Sequence, residues 1–87
     1  MGKCLLLYHH LEHLYYLSNG QYLYLEWVFP QCWRYTLYNT NGTALDGNDV
    51  NLYEISSYEA AELALKQMHI DDVYIQETSL SIQDLIS

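Results

Sequence analysis

The sequence has little of what marks membrane, nucleic-acid-binding or disulfide-stabilised proteins. Its 87 residues include one proline, two cysteines and only three basic residues, Lys3, Arg34 and Lys66. Against eleven Asp and Glu, these leave a formal net charge of −8, which disfavours direct contact with nucleic-acid phosphates or an anionic bilayer. We therefore expect the partner of this protein to be a basic surface.

Long hydrophobic runs are also missing. The apolar run Cys4–Tyr8 ends at two histidines, whereas a signal-peptide core needs about 7 to 15 apolar residues and a membrane span about 20. Two cysteines without a secretory segment are typical of reduced thiols in the cytosol. We expect a soluble cytoplasmic protein in which Cys4 and Cys32 are free thiols.

Hydrophobic residues are nevertheless abundant enough for a core. They make up 51% of the chain, and ten of the residues are tyrosines. A chain of this size hides about 60% of its unfolded surface on folding, which suffices for one small domain. We expect residues 1–87 to form a single domain.

Alternation of side chains predicts two strands, at Gln21–Val28 and Cys32–Tyr38. Asn-Gly pairs that end at Gly20 and Gly42 supply the positive φ angles of tight hairpin turns. In Lys3–Leu17 the helical and β periodicities conflict, so both alternatives stay open, with a strand at 3–8 preferred. Weaker signals predict a strand at 43–45, a polar loop at 46–49, an extended segment at 50–55, a strand at 73–77 and a helical turn within 79–86.

The clearest helix begins at Ser56 or Ser57, where Ser56–Glu59 matches a capping box. An apolar stripe follows, Glu62 and Lys66 have the spacing of an ion pair on the wet side, and Asp71-Asp72 is expected to end the helix. The small alanines of the stripe favour close packing on a sheet. Together these elements predict an α+β fold, an antiparallel sheet of three to five strands with one main helix packed on one face.

One five-residue pattern suggests metal binding. His9-x-x-Glu12-His13 matches the H-x-x-E-H pattern of inverted zinc peptidases, and on a helix the two histidines share one face. A catalytic zinc needs a third protein ligand, and the sequence does not identify one. A small metal- or ligand-binding domain that uses the His9 to His13 cluster is therefore the alternative hypothesis.

No other motif amounts to an active site. His69 near Asp71 and Asp72 is a candidate acid–base group, but the dipole favours histidine at a helix C-terminus in any case. Cys32 is a candidate nucleophile, but a cysteine beside Trp33 is commonly a small buried thiol. Phosphate loops, dinucleotide fingerprints and Cys-x-x-Cys pairs are missing from the sequence. We therefore predict a protein that is not an enzyme and has no cofactor.

Two candidate binding surfaces remain. Alternation places Tyr22, Tyr24 and Tyr38 on the outer face of the sheet, where exposed tyrosines typically anchor protein interfaces, unless a second element covers that face. Such a face, or a free edge strand, would also suit a homodimer. Residues 46–87 carry all of the net charge, with nine acids against Lys66. The predicted partner-binding acids are Asp46, Asp49, Glu54, Glu59, Glu62, Asp71, Asp72 and Glu77.

About half of the chain resembles small domains of phage and conjugative-element proteins, of the large polyvalent protein-associated type. The resemblance rests on Trp33–Tyr38, Asn41-Gly42, Leu45–Gly47 and Ser56–Leu65, which follow that type's order of strand, turn, L-D-G or D-G-G loop and E-A-rich helix. It departs where Asn48 stands in place of a second glycine. The resemblance implies origin in a mobile element rather than a catalytic activity, and such small acidic proteins are similar in character to anti-CRISPR inhibitors.

These observations lead to one functional hypothesis. We expect a non-enzymatic acidic protein of a phage or mobile element that occupies a basic surface, as a nucleic-acid mimic does, and inhibits a nucleic-acid-binding effector.

Overall fold

An antiparallel sheet with a helix across one face makes up the described part of the chain. The computed structural model describes residues 12–28, 32–50 and 56–86. Its elements are β1 (Glu12–Leu17), β2 (Tyr22–Val28), β3 (Cys32–Tyr38), β4 (Ala44–Val50), α1 (Ser57–Gln67), β5 (Ile75–Glu77) and α2 (Ile82–Ile86). The five strands lie in the order β4-β3-β2-β1-β5, and every neighbouring pair is antiparallel. The predicted α+β class is confirmed.

Both predicted hairpin turns are present, as three-residue loops. At the β1–β2 turn the amide of Gly20 donates to the carbonyl of Leu17, and the amide of Leu17 donates to the carbonyl of Gln21, both at 2.9 Å. Gly42 closes the β3–β4 loop in the same way. The positive φ angles lie at the two glycines, 92° and 87°, as expected of a type I turn closed by a left-handed residue. Only the glycine of each Asn-Gly pair is therefore left-handed.

The predicted polar loop at 46–49 is wrong, because these residues belong to β4. Asp46, Gly47, Asn48 and Asp49 each pair with a residue of β3. Their strand propensity is low, but pairing with a neighbour already fixed in the sheet outweighs it. The expected extended segment at 50–55 overlaps β4 only at Val50, and 51–55 lie outside the described residues.

The open question at the N-terminal segment is answered in part. Residues 12–17 form strand β1, so a helix over this part is wrong. The preferred strand at 3–8 lies outside the described residues.

The core lies between the inner face of the sheet and α1. Ala60, Ala61 and Ala64 are fully buried, so their lack of bulk brings the helix axis close to the sheet, as predicted. The sheet contributes alternate residues of each strand, as its pleat requires. The buried sheet residues of this core are Tyr15, Leu17, Leu23, Leu25, Trp33, Tyr35, Leu37 and Val50.

Helix α1 begins as predicted and ends earlier. The Ser56 hydroxyl accepts a hydrogen bond from the Glu59 amide at 3.1 Å, and the Glu59 carboxylate accepts one from the Ser56 amide at 3.4 Å, which confirms the capping box. The helix ends at Gln67 rather than at Asp71-Asp72, because His69 adopts a left-handed φ of 59°. The amides of His69 and Ile70 then close a Schellman motif on the carbonyls of Lys66 and Leu65.

The C-terminal segment crosses to the outer face of the sheet. A Cβ added to Gly42 would collide with the backbone carbonyl of Leu85 in α2, so α2 lies directly against the β3–β4 turn. Reciprocal hydrogen bonds between Ser81 and Asp84 cap α2. The Ser81 amide, and secondly the Ser81 side chain, lower the pKa of Asp84 by hydrogen bonding to its carboxylate. None of the residues of α2 is buried, so contact with the turn is central to holding it in place.

Replacement of His69 by glycine should stabilise the protein. A non-glycine residue in the left-handed region costs about 1–2 kcal/mol, and the extra entropy of glycine in the unfolded chain offsets part of the gain. We expect the free energy of unfolding to rise by about 0.5–1 kcal/mol, measured by urea denaturation. His69→Ala is the matched control, and a glycine variant no more stable than the alanine variant would contradict the assignment.

The two turn glycines provide a matched test of how α2 is held. Gly20→Ala and Gly42→Ala both place an alanine at positive φ, at a cost of about 1–2 kcal/mol, but only Gly42→Ala meets backbone, that of Leu85. We expect Gly42→Ala alone to lift α2 from the turn. Hydrogen exchange of the α2 amides should accelerate in that variant and stay at the wild-type rate in Gly20→Ala; equal rates in both would refute this contact.

Candidate partner-binding surface

A row of charged side chains crosses the outer face of the sheet. Glu12, Glu26, Arg34 and Asp49 are successive partners across β1, β2, β3 and β4. Arg34 Nε lies 3.0 Å from Asp49 Oδ1, and this contact raises the pKa of Arg34. Glu12 and Glu26 face each other as like charges, which disfavours the pair. The row therefore carries three acids and one base.

The predicted tyrosine face lies beside this row and is half-covered. Tyr22, Tyr24 and Tyr38 are on the outer face as expected, but each is half-buried rather than exposed. The rings of Tyr16 and Tyr22 lie 5.2 Å apart. Tyr24 lines a groove with residues 80–83 of the C-terminal segment. The covering element that was the alternative to an exposed face is thus present, and in the described chain it comes from the C-terminus.

Burial and negative charge act together on Tyr24. Its pKa is raised well above the ordinary value of 10.0, first by burial, then by the charges of Glu12 and Glu26 and by a hydrogen bond with Glu12. Tyr24 therefore stays neutral in the folded protein at pH values where a free tyrosine ionises, and its hydroxyl is a hydrogen-bond partner of Glu12.

The predicted acids do not form one patch. Asp46 and Asp49 lie on β4 at one edge of the sheet, Glu77 lies on β5 at the other, and Glu59 is engaged in the helix cap. Glu54 lies outside the described residues. Asp46 faces the helix side, where its charge and, more strongly, burial raise the pKa of Tyr35. Asp49 faces the opposite side, beside Arg34.

Three of the acids come together in a groove beside α1. Glu62 on the helix and Asp71 and Asp72 on the loop that follows line a groove of about 400 Å³, which we call the acidic groove. Lys66 also lines it, but its predicted ion pair with Glu62 is wrong, since the ion pair found in the described part of the chain is Arg34–Asp49. The groove thus carries three acids and one base. Its apolar lining consists of Leu65, Ile70, Val73 and Ile75.

Two tyrosines at this groove were missed in the sequence. Tyr58 is 46% exposed and Tyr74 is 77% exposed, and both line the acidic groove. Tyr58 stands one turn before Glu62 on α1, and Tyr74 follows Asp72 by two residues. That shared neighbourhood of acids is the signal that could have found them. Strand alternation indicates instead the tyrosines of β2 and β3, which are half-buried.

The backbone around the groove is firmly held. The amide of Tyr74 donates to the Ser18 hydroxyl at 2.8 Å, and the Ser18 amide donates to the Tyr74 carbonyl at 3.0 Å. On the other wall, the Tyr58 ring meets the buried Tyr15 edge-on at 6.3 Å between centroids. Tyr15 also shares a hydrogen bond of 2.7 Å with Ser57. Both exposed tyrosines are therefore presented from fixed positions.

The alternative metal site gains no support in the described residues. Glu12 and His13 lie in a strand, where neighbours point to opposite faces, so the helical geometry assumed for H-x-x-E-H is wrong at these two positions, and His9 and His10 lie outside the described residues. No group of three metal-binding side chains occurs within 12–28, 32–50 and 56–86. Cys32 is a half-buried free cysteine and His69 forms the helix end; neither lines the acidic groove.

Comparisons with known proteins give no match. No protein-family model, no curated protein and no solved structure is significantly similar to the chain. Across the described ranges, no helix has the length and apolar character needed to cross a membrane.

Ionisation of Tyr24 should weaken the fold at alkaline pH. Because its folded pKa is raised, its contribution to stability is complete below the unfolded pKa of about 10 and is lost as pH rises above it. In Tyr24→Phe this loss is absent, so the free energy of unfolding should fall less between about pH 8 and about pH 11 than in the wild type. Tyr74→Phe controls for removal of one tyrosine, and a slope equal to that of the wild type in Tyr24→Phe would exclude the effect.

Proposed function

We propose that this protein is a non-enzymatic, cytoplasmic binding protein that occupies a basic surface on a nucleic-acid-binding effector and inhibits it. The observation that carries the proposal is the acidic groove. There Glu62, Asp71 and Asp72 surround apolar side chains, and two exposed tyrosines stand beside them. Acids combined with exposed aromatic and aliphatic surface favour a basic protein partner over a small ion.

The distribution of charge supports binding to a surface that normally holds nucleic acid. An acidic protein is steered toward basic patches and away from phosphate. The nine acids of residues 46–87 face only one base, Lys66, so most of their charge is not neutralised within that half of the chain. A basic groove on an effector would meet carboxylates where it otherwise meets phosphates.

The resemblance to phage and conjugative-element domains supports the origin that we propose. Its segments lie in order on β3, on the β3–β4 turn, within strand β4 where the resemblance implies a loop, and on α1. An inhibitor of anti-CRISPR character, which a mobile element uses against a host defence effector, fits a small acidic protein of this kind.

Neutralisation of the groove should weaken binding to the effector. In capture experiments from cells that carry candidate defence complexes, we expect the wild type to retain a nucleic-acid-binding protein. The Asp71→Asn/Asp72→Asn variant should bind that protein about tenfold more weakly, the scale of a lost charged contact. The control Asp46→Asn/Glu77→Gln removes the same charge outside the groove and should reduce capture much less than the groove variant does. Asparagine is tolerated at the left-handed Asp72.

Two further measurements decide the proposal. Affinity for the captured effector should fall steeply between about 50 and about 200 mM salt, and duplex DNA should compete with the protein. An affinity that is flat across this range, or a complex that DNA leaves intact, would contradict the proposal. So would capture of no nucleic-acid-binding protein from any of these cells.

A further inference from the structure

The acidic groove combines two kinds of surface. Aliphatic side chains, Leu65, Ile70 and Val73 among them, form one part of its lining. Charged side chains form the other, with the carboxylates of Glu62, Asp71 and Asp72 outnumbering the single ammonium group of Lys66. Ile70 and Val73 are half-buried and pack against the core. A ligand that fills the groove must therefore bring apolar and positively charged groups close together.

The exposed tyrosines narrow the choice of cation. Tyr58 and Tyr74 present ring surface to solvent, and tyrosine rings attract cations over their faces, arginine more often than lysine. The guanidinium group is planar, stacks on aromatic rings and donates two parallel hydrogen bonds to a carboxylate. Its three methylene groups match the aliphatic lining. Arginine thus matches the acidic, the aromatic and the aliphatic side chains of the groove.

The Tyr74 side chain is exposed although its backbone is held in place by hydrogen bonds. Hydrogen bonds to Ser18 hold both its amide and its carbonyl, yet 77% of the residue is accessible to solvent. Interfaces concentrate their binding energy in such aromatic residues when a partner desolvates them. A side chain presented in this way binds without the cost of ordering its own backbone.

We infer that the acidic groove is an arginine-binding site, which takes an arginine of the partner protein together with an aliphatic neighbour in the same segment. The inference rests on the proposed function, since arginines are the residues with which nucleic-acid-binding surfaces hold phosphate. A second copy of this chain is a poorer occupant, because Arg34 is engaged by Asp49 and each copy carries a net charge of −8.

A defined peptide tests the inference without any effector. The probe is acetyl-Gly-Leu-Arg-Leu-Gly-amide, titrated into isotopically labelled full-length protein and followed by amide chemical shifts. We expect saturable binding in the millimolar range, with shifts confined to α1 and to residues 70–75. The peptide with citrulline, which keeps the shape of arginine without its charge, should bind at least about tenfold more weakly. The lysine peptide should fall between them.

Variants assign the contacts. Tyr74→Ala should weaken binding of the arginine peptide by about tenfold. It should leave the chemical shifts of the sheet residues unchanged, since the Tyr74 side chain is largely exposed. Asp71→Asn/Asp72→Asn should weaken peptide binding similarly, and Asp46→Asn/Glu77→Gln should not. Equal affinity for the citrulline peptide, shifts that map to the outer face of the sheet, or wild-type binding by Tyr74→Ala would each overturn the inference.

Three outcomes separate this inference from binding of a second copy and from the proposed function. The protein could form a dimer in sedimentation as its concentration rises, with the amide signals of the groove shifting in step and no peptide present. The occupant of the groove would then be a second copy of the chain, and the inference would be overturned. Salt-sensitive, DNA-competed capture of an effector by a protein that ignores the arginine peptide would overturn the inference and leave the proposed function standing. Specific binding of the arginine peptide with no effector captured would overturn the proposed function and leave the arginine site standing.

Discussion

The close approach of α1 to the inner face of the sheet is the contact on which the rest of the structure depends. Three fully buried alanines allow the helix to lie against Leu23, Leu25 and their neighbours without large side chains between them. Its first turn is joined to β1 through the hydroxyls of Tyr15 and Ser57. Near its end, the Tyr35 hydroxyl donates to Gln67 at 3.3 Å. Because both ends are fixed, the position of the loop after α1 is fixed as well, and with it the acidic groove.

Local signals predicted the parts of the fold that local chemistry decides. The two glycine turns, strands β2 and β3 and the reciprocal cap at Ser56 each depend on residues within a few positions of one another. Two other features depend on partners outside their own segment. Asp46–Asp49 form a strand because β3 offers a partner, and the covering of Tyr24 depends on residues 80–83, which no alternation within β2 reveals.

The candidate site was predictable in charge and not in geometry. Nine acids in residues 46–87 indicate a basic partner, but the sequence does not separate Asp49, which lies beside Arg34 on the outer face, from Asp71, which lies in the groove. The helix end explains part of this difficulty. His69 turns the chain within one residue, whereas the pattern of apolar residues and the acidic pair suggested a longer helix. The earlier end brings Asp71 and Asp72 back beside Glu62.

The pairing of Ser18 with Tyr74 has a consequence for the order of folding. The two residues are 56 positions apart in the chain, whereas the hairpins of β1 to β4 close over only a few residues. Loop-closure entropy makes long-range contacts late in folding, so the wall of the groove that carries Tyr74 is formed after the sheet that supports it. A partner bound there would stabilise the last segment to fold, and occupancy of the groove would thereby slow the first step of unfolding.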